Sequence, residues 1–196
     1  MRFPISRMLV VAAILAVMPG CGSVSDLKPS AIGRQVNLTA YPRVVVMPFT
    51  DQLTQGGGSD AEGKAAVLRF RQSVLEQLRI TGAFTEVLPG PVSADGAIQV
   101  DGEVTRAVEG SRAERFWLGF GIGNAYFDAT VEIRDQKTGE LLATLSADRN
   151  SWGGGGWISA QQTLDSFIDE AARKIAHDLA AARVSGRIIS SASERD

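Results

Sequence analysis

Cysteine and histidine are almost missing from this chain, which holds one of each, Cys21 and His177. One Cys excludes an internal disulfide framework, and one Cys with one His excludes a zinc site of the usual Cys/His kind. A Ser-His-Asp or Cys-His catalytic unit would rest wholly on His177. Positive charge is not in excess: 20 Lys and Arg stand against 22 Asp and Glu, a formal net charge of -2. Such a chain has no basic field for a phosphate backbone, so nucleic acid is not an expected partner. No apolar run reaches the roughly 20 residues that a membrane-spanning helix needs. Walker A, EF-hand and H-E-x-x-H sequences are absent too, and no cofactor or metal is expected. What is present is a globular composition, 44% hydrophobic and 21% charged over 196 residues. That is enough for one ordinary domain with its own core.

The first residues read as an address. Arg2 and Arg7 make a positive start, and residues 8–18 (MLVVAAILAVM) are an unbroken apolar run. This is the length of a secretory signal core and too short for a bilayer span. Pro19, Gly20, Cys21 and Gly22 follow. The segment resembles the bacterial lipobox, in which the Cys becomes the acylated mature N-terminus. Gly20 and Cys21 fit that pattern, while Met18 and Pro19 depart from it. An ordinary signal peptide with an incidental Cys is the plainer alternative. The resemblance implies attachment to a lipid bilayer through acylated Cys21. Gly22 is not the Asp that retains lipoproteins in the inner membrane, which implies the outer membrane, facing the periplasm. Losing residues 1–20 also removes Arg2 and Arg7, so the mature chain is more acidic than the precursor. Residues 21–40 show no period and contain Ser23, Ser25, Pro29 and Gly33, and they are expected to be a flexible tether.

Residues 41–184 read as one α/β (α+β) domain. Residues 43–49 (RVVVMPF) are the best strand, and three consecutive Val predict burial on both faces. A polar loop with Gly56, Gly57 and Gly58 follows. Ser59 and Glu62 match a capping box for a helix to about Ile80, with Val67, Phe70, Val74, Leu75 and Leu78 on one face. A short strand is expected at residues 84–88. Ile98, Val100, Gly102 and Val104 alternate with polar residues, as do Phe127, Ala129, Val131 and Ile133. Residues 135–139 (DQKTG) predict a hairpin turn into a returning strand to about Asp148. A second long helix is expected from about Ser159 to Arg183, with Leu164, Phe167, Ile168, Ala171, Ile175 and Leu179 as its stripe. The order is β-α-β-β-β-β-α. It predicts a mixed, mostly antiparallel sheet with two long helices packed on it. Residues 185–196 form a polar tail.

Chemistry-bearing motifs are few. Gly119, Gly121 and Gly123 have G-x-G-x-G spacing and precede a strand, so they do not make a dinucleotide fingerprint and no nucleotide is expected. Asp101, Glu103, Glu109 and Asp128 alternate with apolar residues, as a solvated strand face does. No catalytic residue is assigned. His177, near a helix C-terminus, suits the helix dipole. The informative stretch is residues 109–127 (EGSRAERFWLGFGIGNAYF), rich in Gly and aromatics. Three readings stay open: a bent connection whose glycines allow close backbone packing, an exposed apolar patch for a partner protein, or a membrane-inserting or pore-lining hairpin of an oligomer. Phe116, Trp117, Phe120, Trp152 and Trp157 are the candidate partner or membrane contacts, with Cys21 the lipid-attachment and Gly22 the sorting residue.

Residues 109–115 (EGSRAER), then 119–123 (GFGIG), then Asp135, Thr138 and Gly139 resemble an uncharacterised family of bacterial lipoproteins of unknown function. More distantly, residues 44–49 (VVVMPF) and the strand order are similar to a periplasmic lipoprotein fold. That fold is shared by the curli-secretion channel protein, the penicillin-binding-protein activator lipoprotein and the TolB N-terminal domain. Neither resemblance supplies catalytic residues. Both imply an α/β periplasmic domain working by protein contact. With a lipobox-like address, a good core and no constellation of nucleophile, base or metal ligands, the leading expectation is a non-enzymatic outer-membrane lipoprotein, a binding or assembly module for an envelope partner. A subunit of a homo-oligomeric secretion or pore complex, and a cell-envelope hydrolase, are the alternatives.

Overall fold

The computed structural model describes residues 22–30, 37–53, 60–117, 123–151 and 162–186. In chain order these form β1 (Gly22–Val24), β2 (Lys28–Pro29), a turn of 3-10 helix (Leu38–Ala40), β3 (Arg43–Val46), β4 (Thr50–Asp51) and α1 (Asp60–Thr81). β5 (Glu86–Pro89), β6 (Ala97–Val108), α2 (Arg112–Trp117), β7 (Tyr126–Asp135), β8 (Leu141–Asn150) and α3 (Leu164–Ser185) follow.

The triple Val of β3 behaves as its composition requires: Val44, Val45 and Val46 have no exposed surface. β3 lies between β5 and β6 and runs parallel to both. β6, β7 and β8 then form an antiparallel meander. The eight-stranded sheet has the order β1-β8-β7-β6-β3-β5, with β2 also on β8 and β4 also on β6. The turn from β7 to β8 is held by Asp135, whose Oδ1 accepts from the backbone N–H groups of Lys137 and Thr138 at 2.8 Å. Asp135 also accepts from the Tyr41 hydroxyl at 2.7 Å. That bond, and then the Thr138 N–H, hold its carboxyl below the usual range.

Both long helices cover one face of the sheet, giving two layers. Phe70, Val74 and Leu78 of α1 and Ile168, Ile175 and Leu179 of α3 meet Val44, Ile98, Phe127 and Val131 in one core. Phe70 stacks at 4.8 Å from Phe49 and 5.0 Å from Phe127, linking helix to sheet. The helices are tied to each other by Arg69 to Asp165 at 2.9 Å and by Ser73 Oγ to Asp169 at 2.9 Å. The other sheet face carries Gln99, Asp101, Glu103, Thr130, Glu132 and Arg134, each partly exposed. The expected mixed sheet with two long helices is therefore what the chain forms. α3 begins under a capping box of Thr163 and Ser166, whereas Ser59, the cap expected for α1, lies outside the described residues.

One expectation needs correction. The described part of residues 21–40 is not a free tether. Gly22, Ser23 and Val24 pair with Arg149, Asp148 and Ala147 of β8, and Lys28 and Pro29 pair with Thr144 and Ala143. Leu27 is 3% exposed and Leu38 fully buried, both in the core. Lys174 Nζ reaches Asp26 at 2.8 Å and Asp178 at 2.6 Å. Burial alone would lower the Lys174 pKa, but these bonds to Asp178 and Asp26 outweigh it and hold it above the ordinary value. Strands this short cannot display a two-residue period, which is why the segment read as featureless.

Candidate functional site

The sheet register brings Gly22, Glu109 and the helix bearing Phe116 and Trp117 to one end of the domain. Ala107 pairs with Phe127, Phe127 with Arg149, and Arg149 with Gly22. The C-terminal ends of β6 and β8 and the N-terminal ends of β7 and β1 therefore lie side by side. Glu109, just past β6, accepts the backbone N–H of Leu164 at 2.8 Å, so α3 starts here as well.

The connection from β6 to β7 is pinched at its base. Ser111 N–H donates to Gly123 O at 2.9 Å. A Cβ on Gly110, which has φ +65, would fall 2.2 Å from that same carbonyl oxygen. Only glycine allows the two chain segments to approach this closely. α2 stands on this base, its first turn steadied by Glu114 N–H donating to Ser111 Oγ at 3.3 Å. Phe116 and Trp117 close α2 and stack edge to face at 5.1 Å. Trp117 is 80% exposed and Phe116 41%. Two of the open readings of residues 109–127 thus apply to different parts: close glycine packing at the base and an exposed aromatic pair on the helix above it.

Beside them, Ser151 is buried and bridges to Ala125, each backbone N–H finding its partner on the other residue at 3.0 Å. Arg106 lies over the Tyr126 ring, 3.4 Å from its centroid. Asp128 faces Asp148 across the β7–β8 pair. Burial, and then the Asp148 charge, push the Asp128 carboxyl above the usual range against the opposing pull of Arg106. Asn124, Asp128 and Asn150 each bury one side-chain oxygen that has no hydrogen-bond partner.

The structure separates the acidic residues that the sequence grouped. Asp101 and Glu103 line a cavity of about 430 Å³ on the open face with Thr50, Thr130, Glu132 and Arg134. Arg134 stands 3.9 Å from Asp101 and bonds Glu132. Glu109 caps α3, and Asp128 lies outside the cavity lining. His177 is 79% exposed in its side chain, 3.7 Å from Asp178. Among the described residues no group of three or more His, Cys, Asp or Glu is placed to hold a metal ion. Among them, too, no helix is long and apolar enough to cross a membrane. Cys21, Phe120, Trp152 and Trp157 lie outside the described residues. Sequence reasoning missed α2 itself, because its hexapeptide RAERFW puts its aromatics towards solvent and so carries no core-facing stripe.

A family model described as a domain of unknown function, DUF4410, matches residues 36–155. The chain belongs to the DUF4410 family. A search of the curated proteins found no match. Among solved structures, this DUF4410 chain is similar to PelC of Paraburkholderia phytofirmans, solved as a dodecamer. One PelC structure, of a point variant, gives a TM-score of 0.53 at 16% identity, covering 81% of this chain and 98% of that one. A second gives 0.52 at 17% identity, over 79% and 94%. A DUF330 protein from Xanthomonas campestris gives 0.41 at 10% identity, over 74% and 84%. The PelC likeness shows a shared fold.

Proposed function

We propose that this chain is a lipid-anchored envelope protein that works without catalysis, as a subunit of a homo-oligomeric assembly. The observation that carries the reading is the PelC likeness: nearly the whole PelC subunit, 98% of it, superposes on this chain, and PelC crystallises as a dodecamer. The lipobox-like run ending in Cys21 supplies the anchor, and Gly22 after it directs the protein to the outer membrane, facing the periplasm. An envelope protein partner would engage the assembled form. In the open-face cavity Arg134 contacts Asp101 and Glu132, an ion-pair arrangement to which no catalytic role is assigned.

Mass photometry of the intact acylated protein in detergent tests the assembly directly. The expected result is one species of many copies; a monomer at all concentrations overturns it. Cys21→Ala is expected to leave an unacylated precursor, and Gly22→Asp to move the protein to the inner membrane in density fractionation. Unchanged fractionation would refute the sorting claim. If Asp101→Asn or Glu103→Gln abolished a phenotype that deletion also abolishes, while assembly stayed intact, the non-catalytic reading would fail.

A further inference from the structure

We infer that the end of the domain bearing α2 lies flat on a lipid bilayer, with Phe116 and Trp117 seated in its interfacial layer. The inference rests on the proposed acylation of Cys21. Its decisive observation is the docking of the N-terminal segment. A free tether would let the domain face its membrane in any orientation. Here Gly22 is already in the sheet, paired with Arg149. Cys21 is bonded to Gly22, one peptide link of about 3.8 Å away. The acyl chains therefore leave the protein at the β1 edge of this end. In the register that joins Gly22, Arg149, Phe127 and Ala107, β1 is three strand spacings from β6, about 14 Å. The connection to α2 starts just past that row, so anchor and aromatic pair share one end of the molecule.

The other exposed large hydrophobics do not gather here. Ile80 and Val184 lie near the C-termini of α1 and α3, at the opposite end, Val92 is held there too by Gln136 of the β7–β8 turn, which donates to its carbonyl, and Leu68 lies along α1. Phe116 and Trp117 are the only aromatics among the exposed large hydrophobics of the described residues. Trp is the side chain that favours the bilayer interface, where its ring is shielded and its N–H stays wet. Charge here is mixed, with Arg112 3.4 Å from Glu109. The contact is therefore apolar insertion and not electrostatic adsorption.

The test uses the acylated full chain in vesicles of phosphatidylethanolamine and phosphatidylglycerol. Trp152→Phe with Trp157→Phe leaves Trp117 as the one tryptophan. Replacing the lipids by versions brominated in the upper acyl chain is expected to cut Trp117 emission by more than half, with little quenching by aqueous iodide. The reciprocal variant Trp117→Phe, with Trp152 and Trp157 kept, is expected to lose that lipid-quenched component. Iodide quenching without bromolipid quenching overturns the inference. Protection from both quenchers also overturns it, because a second protein copy then covers the ring. Mass analysis of the mature N-terminal peptide separates the two readings. Acylated Cys21 with an unquenched Trp117 sinks this inference alone; unacylated Cys21 sinks the anchoring on which it rests.

Discussion

At the scale of single residues, β6 contains a position with almost no chemical freedom. Gly102 has φ +142, and a Cβ there would lie 2.0 Å from Thr130 O and 3.0 Å from Val131 Cα. Both obstacles are backbone of the neighbouring strand, held in place by the pairs Gly102↔Val131 and Glu103↔Thr130. Neither can move without opening the ladder. Gly102→Ala is expected to cost at least about 1–3 kcal/mol from backbone strain. A urea midpoint equal to that of the parent protein would show that β6 relaxes there. Asp128 tests the opposite kind of constraint. Its carboxyl is pushed up by burial and by Asp148 opposite, so folding favours the protonated form. The stability it contributes is present below the ordinary Asp pKa and is lost as pH rises through the raised value. Asp128→Asn is therefore expected to stabilise the protein at neutral pH by about 0.2–1 kcal/mol, the cost of like charges facing each other across strands. Thermal melts at pH 4 and pH 7 check it. A gain at pH 4 equal to that at pH 7 would contradict the assignment.

At the scale of elements, what the sequence announced and what it hid divide along one physical line. Long elements with one buried face declare themselves by period: Val67, Phe70, Val74 and Leu78 along α1, and Phe127, Ala129, Val131 and Ile133 along β7, are all buried as their spacing demands. β1, β2 and β4 have three residues or fewer, too short for alternation to register. They exist because a long neighbour offers unpaired N–H and C=O groups, which is tertiary information. The candidate site was legible as a set of residue types and illegible as a place. Gly22 and Phe116 stand far apart in sequence, and only the register through β8, β7 and β6 brings their ends of the chain together. The docked N-terminal segment makes a sharp prediction. Leu27 is 3% exposed in the core. Leu27→Ala is expected to cost about 2–5 kcal/mol, the usual range for emptying a buried leucine site. A loosely attached tether would give no change in the denaturation midpoint.

At the scale of the whole molecule, the two edges of the sheet are managed differently, and the difference bears on how copies meet. One edge is β5, four residues long and ended by Pro89, which lacks the N–H a further strand would need. The other would be β8, ten residues of alternating pattern, were it not covered by β1 and β2. A bare strand of that length is a template for uncontrolled pairing. The residues that read as a tether thus shield the longest edge in the fold, while the β1 pairing would also set where the proposed anchor at Cys21 leaves the domain. Removing residues 22–30 separates these roles from any ordered assembly. The truncated chain is expected to lose the Lys174–Asp26 contact and to aggregate as concentration rises, with growing thioflavin fluorescence and no limiting size in light scattering. Leu27→Ala, which keeps both short strands, is expected to lower stability without that signature. If instead the truncated chain stayed soluble with one defined size, β8 would be protected by something other than β1 and β2. Of the two roles, only the proposed orientation at a membrane would then be left to the N-terminal pairing.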